Sequence, residues 1–218
     1  MIFLTGVSSK EAVEMGKTHG VGLLNQPASY GPLKPPLYPY WAADNGCFTK
    51  PIAPGNKNEA TWLRWLDRMP RENCLFATVP DMAVHEGKFH DDPAGATLEL
   101  FHHYRPYVVD LGYKVGFCLQ NGSERPGMVP WDDIDCVFIG GTTEWKIGQY
   151  ALKLVNDAKA RGLWAHMGRA NSFKRLKRAA EMQVDSADGT FLKWPTTNAP
   201  RLKHMLESLD QHPQLAMF

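Results

Sequence analysis

Apolar positions along this chain gather in short runs that recur with polar punctuation. IFLTG (2–6), VGLLN (21–25), WAADNG (41–46), CLFATVP (74–80), KVGFCLQNG (114–122), CVFIGG (136–141), LWAHMG (163–168) and VDSAD (184–188) each give a strand-length stretch, most of them closed by Gly, Pro, Asn or Asp. Between them lie stretches with helical character: 10–20, 59–69, 96–112, 143–162, 171–182 and 200–210. In 59–69, Trp62, Leu63, Trp65 and Leu66 mark one apolar face. Gly20 supplies a helix stop, Asn171 an N-cap for the basic helix, and Pro200 the start of the last one; Pro106 is a site for a kink. The segment 26–40 is too rich in Pro, Tyr and Gly for a regular helix and reads as a loop, and PWDDI is all that stands for a helix in the fifth unit.

Eight strands alternating with helices, with no repeat or low-complexity linker to divide them, predict a compact (β/α)8 TIM barrel forming a single domain over residues 1–218. A doubly wound open sheet is the competing arrangement. At 218 residues the chain is long enough to bury roughly 70% of its unfolded surface without a metal or disulfide staple. The four cysteines are scattered with no C-x-x-C pair, which fits reduced thiols in a cytoplasmic protein; Cys118 and Cys136 read as small buried hydrophobes. No apolar run approaches membrane-spanning length, and the start lacks a signal-peptide pattern, so no membrane partner is expected. With 24 basic and 23 acidic side chains, net charge does not advertise a polyanion partner, although local clusters still can.

In a parallel α/β fold the chemistry gathers where strands end. Those ends read Asp44-Asn45-Gly46, Pro80-Asp81, Gln120-Asn121-Gly122, Gly140-Gly141-Thr142, His166-Met167-Gly168-Arg169 and Asp188-Gly189. Singly, each is ordinary turn chemistry. Together, three carboxylates, an amide and two glycine turns on one rim suit a polar planar ligand such as a nucleobase, with Phe48 and Met167 to cover its faces. Two carboxylates would also serve double displacement at an acetal carbon. VDSAD carries two acids, but side chains alternate along a strand, so Asp185 and Asp188 cannot share a face; Asp188 is the one expected in the pocket. His166 is expected to point into the wall between barrel and helices. HDDP (90–93), with His85 nearby, reads as a helix N-terminus rather than a metal site.

The rim resembles that of the queuine tRNA-ribosyltransferase (tRNA-guanine transglycosylase) superfamily, above all its short phage and bacterial deazapurine DNA transglycosylases. DNGCF is similar to the family's D-[TS]-G-G-[FY], FATVPD to a strand ending in the base-reading aspartate, and CLQNG to its V-Q-G. FIGGT is similar to G-G-L, AHMGRA to L-M-G-[VI]-G, and VDSADGT to V-D-x-F-D-C-V. The resemblance runs from about residue 40 to 192. It implies Asp188 as nucleophile, Asp44 as acid/base, and Asp81, Gln120, Gly140, Gly141, Met167, Gly168 and Phe48 as base-binding residues. Cys47, Thr142 and Gly189 depart from the family's Gly, Leu and Cys.

The zinc-binding subdomain that follows the barrel in the tRNA enzymes has no counterpart in the roughly thirty residues after Asp188, which favours DNA over tRNA as the polymer. The implied activity is exchange of guanine in DNA for a 7-deazaguanine base, without metal or other cofactor. The alternatives are a tRNA-guanine transglycosylase, a base-excising glycosidase, and a non-catalytic nucleic-acid-binding barrel. Polynucleotide contacts are expected from Arg169, Lys174, Arg175, Lys177, Arg178 and Lys193, with Arg201 just beyond and Tyr30, Tyr38 and Tyr40 of the loop covering the pocket or a neighbouring base. A homodimer or a partner protein stays open, and for a phage-borne gene the expected site of action is the host cytoplasm.

Overall fold

The computed structural model describes residues 1–27, 37–82, 84–85 and 88–211. In chain order they form β1 (Ile2–Thr5), α1 (Lys10–His19), β2 (Gly22–Asn25), β3 (Trp41–Ala43), α2 (Lys57–Arg68) and β4 (Cys74–Thr78). A small hairpin follows, β5 (Val84–His85) with β6 (Lys88–Phe89), then α3 (Pro93–Asp110), β7 (Val115–Leu119) and a 3-10 turn at Trp131–Asp133. The chain continues through β8 (Cys136–Ile139), α4 (Thr143–Lys146), α5 (Gln149–Ala160), β9 (Trp164–Met167), α6 (Phe173–Glu181), β10 (Ser186–Gly189), a second 3-10 turn at Phe191–Lys193 and α7 (Pro195–Gln211).

Eight of the strands close into a parallel barrel in the order β1-β10-β9-β8-β7-β4-β3-β2. The first strand pairs with the last (Leu4 opposite Asp188, Thr5 opposite Gly189), which excludes the open sheet. Strand alternation divides the interior in two. Inside the barrel, Leu4, Leu24, Ala42, Phe76 and Cys136 pack with Ile2, Leu75, Phe138 and Trp164. The larger core, including Phe3, Leu23, Phe117, Val137, Ile139, Ala165, Met167 and Ala187, lies between the barrel and its helices. There Trp62 of α2 meets Tyr104 of α3 edge-on at 5.5 Å, a pairing that adds about 0.5–1.5 kcal/mol to area burial.

Helix starts follow their caps. Ser9 accepts from the Ala12 N–H, Asn56 from Asn58 and Glu59, and Asp92 from Gly95 with Pro93 just inside the helix. HDDP is thus the expected N-terminus, and among the described residues no group of three His, Cys, Asp or Glu side chains could hold a metal ion. Gly20 ends α1 with φ 64°, as expected of a helix stop.

Three boundaries differ from the sequence reading. The stretch 143–162 is not one helix: Gly148, extended at ψ −176°, ends the first turn and starts α5. Glycine's cost inside a helix is the local signal for that break. Ser172, not Asn171, caps α6, because the Asn171 amide oxygen accepts the Thr190 N–H instead. The last helix begins at Pro195 and carries Pro200 in its interior. No helix among the described residues is long and apolar enough to cross a membrane.

Candidate active site

Where the strands end, one pocket is lined by Leu24, Asp44, Asn45, Phe48, Asp81, Cys118, Gln120, Phe138, Gly140, Arg169 and Asp188. All three rim carboxylates expected there are present. Each reaches the pocket from a strand end (β3, β4 and β10), and each has a different environment.

Asp81 is gripped by two amides. Asn45 Nδ2 donates to Oδ1 at 2.9 Å and Gln120 Nε2 to Oδ2 at 2.6 Å. Asn45 is itself fixed, donating to Val79 O and accepting from the Cys47 N–H. Burial pushes the Asp81 pKa up, opposed by hydrogen bonds from Asn45, Cys118 and Gln120 and by the Arg169 charge. Asp44 is held instead by backbone N–H groups. Burial, followed by the neighbouring charges of Asp188 and Asp81, raises it to about 7, and the backbone N–H groups of Gly46 and Asn45 only partly offset this. A carboxyl titrating there can hold a proton at neutral pH and release it during a reaction.

Among the described residues, Asp188 is bound through a single oxygen. Its Oδ1 accepts from His166 Nε2 at 3.1 Å and from the Arg169 backbone N–H at 3.0 Å. Arg169 makes that approach in the left-handed region, φ 58°. Its guanidinium donates to Gly141 O at 2.7 Å and lies 4.6 Å over the Phe48 ring at the pocket mouth, where Phe48 is 55% exposed. Arg169 therefore belongs to the pocket as well as to the expected polynucleotide face.

The glycine turns serve the pocket indirectly. Gly141 donates its N–H to Gln120 Oε1 at 2.8 Å, and Gly140 to Leu119 O, so both amides are engaged within the protein. A Cβ on Gly140 would meet Gln120 Nε2 at 2.9 Å, so this glycine lets the Gln120 amide lie between Asp81 and Gly141.

Met167, His166 and Gly168 lie differently from expectation. Met167 is fully buried in the layer between barrel and helices and does not line the pocket. Its neighbour His166 points into the barrel, packed 4.6 Å from the Phe138 ring and 5.3 Å from Phe76. The parity of the strand is the opposite of that expected: counting back by two from Asp188 and Gly140 places Ser186 and Phe138 inward, and the paired register carries His166 with them. Phe138, not Met167, is the pocket's inner apolar wall. Gly168 likewise offers nothing to the pocket directly, since its carbonyl accepts from Lys146 Nζ at 2.7 Å. Lys146 is fully buried, and desolvation, with Arg169 beside it, lowers its pKa to about 7. Neither Lys146 nor the clamp role of Asn45 was anticipated. Asn45 carried a signal in its place between Asp44 and Gly46; Lys146 carried none, because its partner is a carbonyl from another βα unit.

The basic helix is only partly available. Arg175 donates to Arg169 O and Arg178 to Ile147 O, while Lys177 and Arg178 both pair with Glu181. Lys174 is exposed on the same helix, and Lys193 is exposed with its amine 5.2 Å from the Trp194 ring. Asp185 stands at the opposite end of β10, accepting the Ala165 N–H at 2.8 Å and pairing with Lys159. Tyr38 is buried with its hydroxyl donating to Val7 O, so it does not cover the pocket; Tyr40 is exposed, and Tyr30 and the His85 side chain lie outside the described residues.

No protein-family model matches this chain, and no curated protein matches it.

Proposed function

We propose that this protein is a guanine transglycosylase that exchanges guanine in a polynucleotide, DNA in preference to tRNA, for a 7-deazaguanine base. The observation that carries this reading is the division of labour among three carboxylates in one pocket: a proton-holding Asp44, an amide-gripped Asp81 and a one-sided Asp188. The motif resemblance from Asp44 to Asp188 supports the same assignment.

A guanine edge presents N1–H and an exocyclic amine, both donors, to the acceptor oxygens of Asp81. Adenine lacks that pair. With the base flipped into the pocket, an Asp188 oxygen attacks C1′ as the C1′–N9 bond breaks. The electron pair leaves on the base, which takes the proton from Asp44. An incoming 7-deazaguanine gives its N9 proton to the Asp44 carboxylate, attacks C1′ and frees Asp188, so the glycosidic bond is exchanged without net hydrolysis. Phe48 and the Arg169 guanidinium stacked on it stand at the mouth where a flanking nucleotide would pass. Exposed Lys174 and Lys193 lie on the expected backbone track.

The test is incorporation of radiolabelled guanine, and of 7-cyano-7-deazaguanine, into single-stranded DNA, duplex DNA and an unmodified tRNA transcript. The expected result is label entering DNA and lost in Asp188→Asn. Label in no polymer overturns the reading; guanine release that leaves abasic sites without incorporation replaces it with a glycosidase.

A further inference from the structure

We propose that His166 is a positioning residue, set by Ser186 and Trp164, that clamps one oxygen of Asp188 and leaves Oδ2 as the attacking atom. This rests on the reading of Asp188 as nucleophile. The contacts form a directed chain through the barrel interior. Trp164 Nε1 can only donate, and it donates to Ser186 Oγ at 2.9 Å. The hydroxyl hydrogen is then free for His166 Nδ1 at 2.8 Å, which leaves the ring proton on Nε2, facing Asp188 Oδ1 at 3.1 Å.

Three features make this chain more than incidental packing. His166 is completely buried between Phe76 and Phe138, so Ser186 and Asp188 are its only polar partners among the described residues. The Arg169 N–H falls on the same oxygen, Oδ1, as the imidazole. Among the described residues Oδ2 receives no hydrogen bond, while Asp188 lines the pocket. A carboxylate fixed through one oxygen by two donors has its rotation about χ2 set, and its second oxygen is held toward the pocket with its lone pairs unoccupied. In the step, the Oδ2–C1′ bond forms as C1′–N9 breaks; His166 keeps its proton throughout and exchanges none with the substrate. Its contribution is orientation of the attacking oxygen, the kind of placement on which near-attack geometry depends.

Single-turnover formation of the covalent polynucleotide adduct tests this, together with nitrogen NMR of the His166 ring. His166→Phe keeps an aromatic ring between Phe76 and Phe138 but removes the donor. It should slow adduct formation about 10–100-fold, the size of a lost hydrogen bond to a charged group, with KM for the free base unchanged within about twofold. His166→Gln restores a donor and should recover most of the rate. Ser186→Ala should slow the step about 3–10-fold and destroy the tautomer preference. The parent ring should carry its proton on Nε2.

Adduct formation at the parent rate in both His166→Phe and Ser186→Ala overturns the proposal, as does a ring protonated on Nδ1 alone. Absence of any adduct in the parent protein counts against the nucleophile reading itself, and the tautomer then still decides whether the chain is directed as described.

Discussion

The two rims of this barrel use aspartate in opposite ways. At the lower rim, Asp135 and Asp185 each accept a backbone N–H from the neighbouring strand, Val115 and Ala165 respectively, and Asp185 also pairs with Lys159. Those acids finish ladders that the strands would otherwise leave open. At the upper rim, Asp44, Asp81 and Asp188 converge on one pocket, where the charges of Asp188 and Asp81 both disfavour ionisation of Asp44. Gathering carboxylates in a buried place costs stability, and such clusters are candidates for functional sites. Around β10 both uses occur three residues apart, Asp185 just before the strand and Asp188 near its end.

Exchanging the treatment of the two β10 acids gives the largest effect. Asp188→Asn should abolish base exchange, by about 10⁴-fold or more, with the fold intact by circular dichroism. Asp185→Asn should leave exchange within about threefold. Equal losses from the two would erase the distinction between rims.

Asp44→Asn should cost about 10²–10⁴-fold in exchange, as expected for a lost general acid. It also has a stability signature whose sign follows from the raised pKa. A carboxyl whose folded pKa is about 7, above its ordinary value of 3.8, contributes fully below about pH 4 and loses that contribution as pH rises through 7. Removing it should therefore raise Tm relative to the parent at pH 8 and not at pH 4. A Tm difference that is flat across this range would place Asp44 outside the desolvated cluster.

Asp81→Asn replaces an acceptor with an amide that faces two amide donors, Asn45 and Gln120. A loss of about 10²-fold in kcat/KM for guanine is expected, carried mainly by KM, and steady-state kinetics with free base as the varied substrate would read it. The smallest effects belong to the lower rim. Asp135→Ala and Asp185→Ala should each destabilise by about 1–2 kcal/mol in urea unfolding, with exchange unchanged.

Much of this was legible in the chain because it is local. Apolar runs closed by glycine or aspartate marked the strands, and strand ends in a parallel fold collect on one edge, so Asp44, Asp81, Gln120 and Asp188 could be placed together. Parity was the weak point. His166 and Met167 are adjacent, both suited to a buried strand, and nothing in HM says which faces inward; the pairing of His166 with Ser186 decides it. The basic helix misled for a different reason. Arg175 and Arg178 are committed to the carbonyls of Arg169 and Ile147, residues outside the helix, so tertiary structure alone sets how much of its charge is free. The Gln120–Gly141 hydrogen bond, which engages an N–H expected to serve the base, is also a tertiary fact.

Where the sugar becomes attached decides between the three carboxylates. Incubation with a guanine-containing oligonucleotide, denaturing quench, nuclease trimming and peptide mass spectrometry would locate the covalent adduct. An adduct on Asp188, absent in Asp188→Asn and discharged by added 7-cyano-7-deazaguanine, is the expected result. An adduct on Asp44 or Asp81, or base exchange that proceeds in Asp188→Asn, would contradict it.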